Sequence, residues 1–162
     1  MIQLMGQGTL FAKTDLKRAF LLLPIYPGDF DLVGIRFDGK YYFDKCLPFG
    51  SKISCALFNK FSTFLHLLVS KKSNNQNIIH YLDDFLLVGR AHDSCCKHTL
   101  DTFHQVCAQL GVPIAKDKTV EPTTRLTFLG IEFDTVSMTM RLPQDKLTDR
   151  ATAANSRNFT HQ

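Results

Sequence analysis

Asp83 and Asp84 stand side by side between two short apolar runs, Ile78 to Leu82 and Phe85 to Val88. Runs of this length around a polar break read as the two strands of a hairpin with both acids at its tip. The placement is costly, because neighbouring carboxylates resist ionising side by side unless a cation shares their charge. On the dipeptide alone two readings stand level. Asp is a favoured turn residue, so the pair can be an ordinary polar turn. Equally, hard divalent cations take carboxylate oxygens and keep their remaining positions for water or substrate phosphate, so the pair can be part of a metal site. Asp15, ending a strand read over Thr9 to Asp15, offers a third acid from elsewhere in the chain.

The rest of the pattern sets the architecture. Leu16 to Leu23 form a compact apolar stretch compatible with a helical turn and stopped by Pro24. Val33, Ile35 and Phe37 alternate with other residues up to Asp38-Gly39, a strong hairpin signal before the aromatic strand Tyr41 to Phe43. A helix is expected from Ile53 to Val69, with Leu57, Phe61, Phe64, Leu65 and Leu68 on one face, ended by a polar loop from Ser70 to Asn77. A second amphipathic helix carries Cys96, Leu100, Phe103, Cys107 and Leu110 and closes at Gly111, with Pro113 beyond. Leu126 to Phe133 and Met138 to Leu142 read as a final pair of strands. Strand pairs interleaved with two helices point to an α+β fold, an antiparallel sheet with helices packed on one face. A dinucleotide-binding domain is disfavoured, since Gly6-x-Gly8 lacks a third glycine and precedes its strand.

With 162 residues, one domain is the starting expectation. The 19 Lys and Arg against 15 Asp and Glu leave a net charge of +4, which permits a polyanionic partner without demanding one. Lys13, Lys17, Lys52, Lys60, Lys71 and Lys72 could track phosphates, although a solvated surface is the ordinary role of such charges. Five cysteines without C-x-x-C spacing suit a reducing compartment, cytoplasmic or nuclear, and not a secreted disulfide framework. No membrane association is expected: the apolar run from Ala19 to Ile25 is short and broken by Pro24. His92, Cys95, Cys96 and His98 are too crowded for zinc-finger spacing, and Cys96 lies on the helix stripe, so a structural reading is preferred for them.

Five motifs in order carry a resemblance. Tyr81-Leu82-Asp83-Asp84 resembles the catalytic turn of reverse transcriptases, and Asp15-Leu16-Lys17-Arg18-Ala19-Phe20 resembles their first carboxylate motif. Leu47-Pro48-Phe49-Gly50 followed by Ser54-Cys55-Ala56-Leu57-Phe58 is similar to the loop and helix beneath the nascent base pair. Gly111 to Thr119 and Phe128-Leu129-Gly130-Ile131 look like the later motifs, which close on the nucleotide and grip the primer. The likeness extends over Lys13 to Leu142. Pro-Phe-Gly is shared with gypsy-like elements, while the wording Lys45 to Gly50 and Leu142-Pro143 is closer to the tyrosine-recombinase, DIRS-like group.

The resemblance implies a palm domain with a ferredoxin-like sheet over residues 1–146, including a fragment of fingers, while the composition of 147–162, rich in Ala, Thr, Asn and Arg without apolar periodicity, leads to the expectation of a polar, disordered tail. It implies RNA-directed DNA synthesis from deoxynucleoside triphosphates on a primed RNA or DNA template, with two Mg²⁺ ions or Mn²⁺ in their place. Asp15, Asp83 and Asp84 would be the catalytic, metal-holding acids, Asp84 less directly, and the Leu16 carbonyl a further ligand. Phe20 would be the aromatic gate beside Asp15 at the cleft edge, clashing with a ribose 2′-hydroxyl. Phe49, Gly50 and Tyr81 would touch substrate, Leu129 and Gly130 would grip the primer, and Lys118, with Lys116 as a near alternative, would protonate pyrophosphate. Only 14 residues precede Asp15, so the competing expectation is a truncated, catalytically silent retroelement remnant that at most binds nucleic acid or a partner chain.

Overall fold

The structure, a computed structural model, describes residues 5–143. Strand β1 (Leu10–Asp15) leads through two 3-10 turns, Ala19–Leu22 and Pro27–Val33, to the hairpin β2 (Gly34–Phe37) and β3 (Lys40–Phe43). Helix α1 (Lys52–Ser73), strands β4 (Ile78–Tyr81) and β5 (Asp84–Gly89) and helix α2 (Cys95–Leu110) follow. A 3-10 turn at Lys116–Lys118 then precedes β6 (Val120–Thr123), β7 (Arg125–Phe128), β8 (Ile131–Asp134) and β9 (Thr139–Arg141).

The central sheet has the spatial order β4-β5-β1-β6, with every neighbour antiparallel. The path β1-α1-β4-β5-α2-β6 through that order is the ferredoxin-like split βαβ arrangement. One face of the sheet, with Ala12, Ile78, Phe85 and Leu87, packs on Phe58, Leu65 and Val69 of α1 and Leu100, Phe103 and Cys107 of α2. The other face, with Phe11, Leu86 and Val88, meets Leu126 and Phe128 of the separate β7-β8-β9 sheet. Strand β5 is thus covered on both sides, which is why it reads as a continuous apolar run instead of alternating.

Helix α1 departs from expectation in length and in face. It continues to Ser73 and ends on Asn74 in the left-handed region, so Ser70 to Ser73 are helical and not loop. Its buried stripe is Ser54, Phe58, Ser62, Leu65, Val69, Ser70 and Ser73, whereas Leu57 and Phe64, placed on the core face by periodicity, are 42% and 51% exposed. Small serines let the helix approach the sheet and α2 closely, and the hydroxyls of Ser62 and Ser73 bond back to the carbonyls of Phe58 and Val69 at 3.2 and 2.8 Å. The Ser70 hydroxyl is buried without a hydrogen-bond partner among the described residues, and the expected face is rotated, with Leu65 buried and Phe61 and Leu68 packed against the core while Leu57 and Phe64 turn outward. By length and composition α1 is apolar enough to cross a membrane, yet its buried stripe belongs to this core.

Two other expectations change. The single strand read over Leu126 to Phe133 is a hairpin, broken by Leu129-Gly130 with φ of 49° and 77°. Strand β6 contains Pro122, which obscures it in the sequence and is tolerated because β6 is an edge strand. The β2–β3 hairpin turns at Asp38-Gly39 as expected, with both residues at positive φ, and all of its strand residues are exposed. The tail expected over 147–162, and residues 144–146, lie outside the described residues.

Candidate active site

The first acid is positioned by main chain. Asp15 is the last residue of β1 and lies opposite Asp84 in the β1–β5 register. Beyond it, the Leu16 N–H donates to the Asp83 carbonyl at 3.1 Å and the Lys17 N–H to the Pro113 carbonyl at 2.9 Å, while the Asp15 carbonyl accepts from Ala115 N–H at 2.9 Å. The end of β1 is therefore clamped between the β4–β5 hairpin and the segment after α2. The hairpin tip is Leu82-Asp83, not Asp83-Asp84, since Asp84 already pairs with Tyr81 in the ladder. Leu82 takes a φ of 54°, a conformation that costs a branched residue roughly 1–3 kcal/mol and persists where surrounding structure enforces it.

This geometry gathers negative charge in a confined place. Asp15 is 5% exposed. Burial pushes the Asp83 and Asp84 carboxyls above the ordinary carboxylate range, and the charge of Asp15 pushes both further. The opposing cation is Lys118, whose Nζ lies 2.8 Å from Asp15 Oδ2. That hydrogen bond, together with the Asp15 charge, raises the lysine pKa and keeps Lys118 protonated. Lys116, the alternative, lines a different cleft with His104 and Glu121.

A cleft of about 440 Å³ is lined by Asp15, Leu16, Phe20, Phe49, Asp83 and Lys118 among others. Lys17, Arg18 and Asp117 also border it, and Arg18 and Asp117 carried no separate sequence signal as site residues. Phe20 both lines the cleft and belongs to the core. It lines the cleft beside Asp15 but is only 9% exposed, with its ring 5.2 Å from Phe49 edge-on and 5.1 Å from Phe58. The expectation of an edge position is corrected accordingly. Phe49 is 73% exposed, and Gly50 beside it takes a φ of 86° that suits glycine. Tyr81 is exposed, and Asp84, Tyr81, Gly50, Leu129 and Gly130 are not among the lining residues. Leu129 and Gly130 form the turn of the β7–β8 hairpin.

Among the described residues no three His, Cys, Asp or Glu side chains are grouped to hold an ion by themselves. The donor set nevertheless fits a hard divalent cation. Two desolvated carboxyls and a third acid face Lys118, with Lys13 also acting on Asp84, and a bound cation would offset the burial and the mutual repulsion that raise the Asp83 and Asp84 pKa values. Mg²⁺ is held by one or two carboxylates with waters and phosphates completing its shell, so a closed protein cage is not required.

Comparison with known proteins places the chain. The profile of the family described as reverse transcriptase (RNA-dependent DNA polymerase) matches residues 1–133. Protein P of Duck hepatitis B virus (strain Germany/DHBV-3) is 36% identical over 126 residues, covering 74% of this chain and 15% of the relative. The genome polyprotein of Petunia vein clearing virus (isolate Shepherd) is 28% identical over 131 residues, covering 80% of this chain and 6% of that polyprotein. Among solved structures, the foamy viral protease-reverse transcriptase in complex with RNA/DNA hybrid superposes with a TM-score of 0.70 at 22% identity, over 86% of this chain and 18% of that one. At that identity the likeness establishes the fold. The chain spans about 15% of the length of the duck virus relative. Relatives as different as these single out neither the DIRS-like nor the gypsy-like group.

Proposed function

The chain belongs to the reverse transcriptase family, and from that premise we propose that it is the palm of an RNA-directed DNA polymerase, of retroelement origin, that adds deoxynucleotides to a primer 3′-hydroxyl on an RNA or DNA template. The observation that carries this is the meeting of Asp15 and Asp83 in one cleft, with Asp84 registered against Asp15 on the adjacent strand. Residues so distant in sequence share a confined space only because the split βαβ topology sets β1 beside β5. When bound there, two Mg²⁺ or Mn²⁺ ions would supply activation of the 3′-hydroxyl and neutralisation of the departing pyrophosphate.

The chain's own residues do the positioning. Asp15 and Asp83 would hold the ions, with Asp84 adding negative charge. Phe20, wedged between Phe49 and Phe58, is a stiff wall where the sugar would lie. Lys118 neutralises Asp15 and, once displaced, is a protonated donor next to the leaving group. Leu129-Gly130 would brace the primer strand. With five free cysteines among the described residues, work in a reducing intracellular compartment is part of the same reading.

Sugar selection tests the reading at one residue. In a polymerase carrying this palm, Phe20→Ala should raise ribonucleotide incorporation relative to deoxynucleotide. Unchanged discrimination would remove Phe20 from that role.

A further inference from the structure

On the helix-facing side of β4, away from the carboxylates, His80 meets His66 of α1. Their Nδ1 atoms are 2.9 Å apart, with ring centroids 5.1 Å apart and ring planes at 88°. His80 also stacks on Phe85 at 5.5 Å. The tautomers follow from the neighbours. The Thr63 hydroxyl donates its single proton to the Asn59 carbonyl at 2.8 Å, so towards His80 Nε2, 3.4 Å away, it can only accept. His80 therefore carries its proton on Nε2 and leaves Nδ1 as a bare lone pair, which accepts from His66 Nδ1–H. Burial lowers the pKa of both rings, and each would further oppose a charge on the other, so both are neutral.

Two neutral imidazoles with facing Nδ1 atoms are also a chelate. Metal–imidazole bonds are about 2.0–2.1 Å, so cis ligands at a right angle stand about 2.9 Å apart and tetrahedral ones about 3.3 Å. We propose that His66 and His80 bind one borderline divalent transition-metal ion, of the Ni²⁺, Cu²⁺ or Zn²⁺ class, through their Nδ1 atoms, tying α1 to edge strand β4. Binding shifts the His66 proton from Nδ1 to Nε2, so each ring stays neutral and the protons balance. Water fills the other coordination positions. Thr63 fixes the His80 tautomer from behind, as outer-shell partners of ligating histidines do. Mg²⁺ prefers oxygen donors, so this site and the carboxylate cleft select different ions. The inference stands apart from the polymerase reading.

The test is calorimetric titration of the whole chain with Ni²⁺, at neutral pH, in excess Mg²⁺ and after alkylation of accessible thiols. One ion per chain is expected, with His66→Gln and His80→Gln each weakening binding at least roughly tenfold. Thr63→Val, which removes no ligand, should weaken it by about tenfold at unchanged stoichiometry. Asp83→Asn should leave it unchanged. Binding that survives both histidine substitutions, or that Asp83→Asn abolishes, overturns the proposal, as does no binding at all. Because His80 packs on Phe85, a readout without substitution accompanies these. Copper-loaded unaltered chain should show hyperfine coupling to two imidazole nitrogens, and coupling to one or none also overturns the site.

Discussion

Asn75 lies in the short connection between α1 and β4 and is 2% exposed. Its Nδ2 donates to the Val88 carbonyl at 3.0 Å and to Thr99 Oγ1 at 2.9 Å, while its Oδ1 accepts from Asn77 N at 2.9 Å and Asn77 Nδ2 at 3.1 Å. One side chain thus joins the end of α1, the start of β4, strand β5 and helix α2, at the base of the hairpin that carries Asp83 and Asp84. Asn75→Ala removes all four bonds. Thr99 keeps its bond to the Cys95 carbonyl at 2.7 Å and loses little. The Val88 carbonyl and the Asn77 N–H are left short of partners, and a buried polar group in that state costs about 1–3 kcal/mol. A loss of about 3 kcal/mol is expected, a large part of the roughly 5–15 kcal/mol that holds a domain together. In urea unfolding, with a slope of about 1–3 kcal/mol/M, the midpoint should fall by about 1–3 M. Asn75→Asp should be at least as damaging, since it keeps the acceptor but turns a carboxylate towards the Val88 carbonyl. A loss below about 1 kcal/mol in both variants would refute this account of the connection.

Three further outcomes are expected. A Cβ at Gly89 would stand 2.7 Å from both the backbone N and the Cβ of Cys96, so Gly89→Ala must push α2 off β5, and chemical unfolding should register a loss of about 1–3 kcal/mol. Asp83 and Asp84 hold protons more tightly folded than unfolded, so without metal their contribution to stability falls as pH rises from 3.8 through their raised values. Melting without divalent ions should therefore show Asp84→Asn above the parent chain at neutral pH, with the difference shrinking in acid; a lower melting point at neutral pH would contradict the repulsion. Since Lys118 competes with a metal for Asp15, Lys118→Ala should bind Mn²⁺ more tightly in an equilibrium titration, and weaker binding would mean that Lys118 supports the ion instead.

Much of the frame was legible where local signals agree. Helix α2 announces itself through Cys96, Leu100, Phe103 and Cys107, all buried, and through Gly111, which caps it at a φ of 70°. The β4–β5 hairpin is visible because apolar runs flank the acids. What periodicity could not convey is polarity turned inward. Ser62 and Ser73 of α1 and Asn75 are buried because their polar groups find partners, which no apolar count anticipates. Leu129 defeats strand reading because a branched residue occupies a left-handed turn position. In the site, motif order brought Asp15, Asp83 and Lys118 together in expectation. The ion pair between Asp15 and Lys118, 103 residues apart, depends on tertiary closure, as does the burial of Phe20 against Phe58.

The most direct measurement is Mg²⁺-dependent primer extension on an RNA template, by a related reverse transcriptase whose palm is replaced with residues 5–143 of this chain, compared with the same protein carrying Asp83→Asn. Two-metal chemistry in the Asp15–Asp83 cleft predicts extension by the first and none by the second. Extension that survives Asp83→Asn, or a folded chimaera that binds primed template and extends nothing, would contradict it.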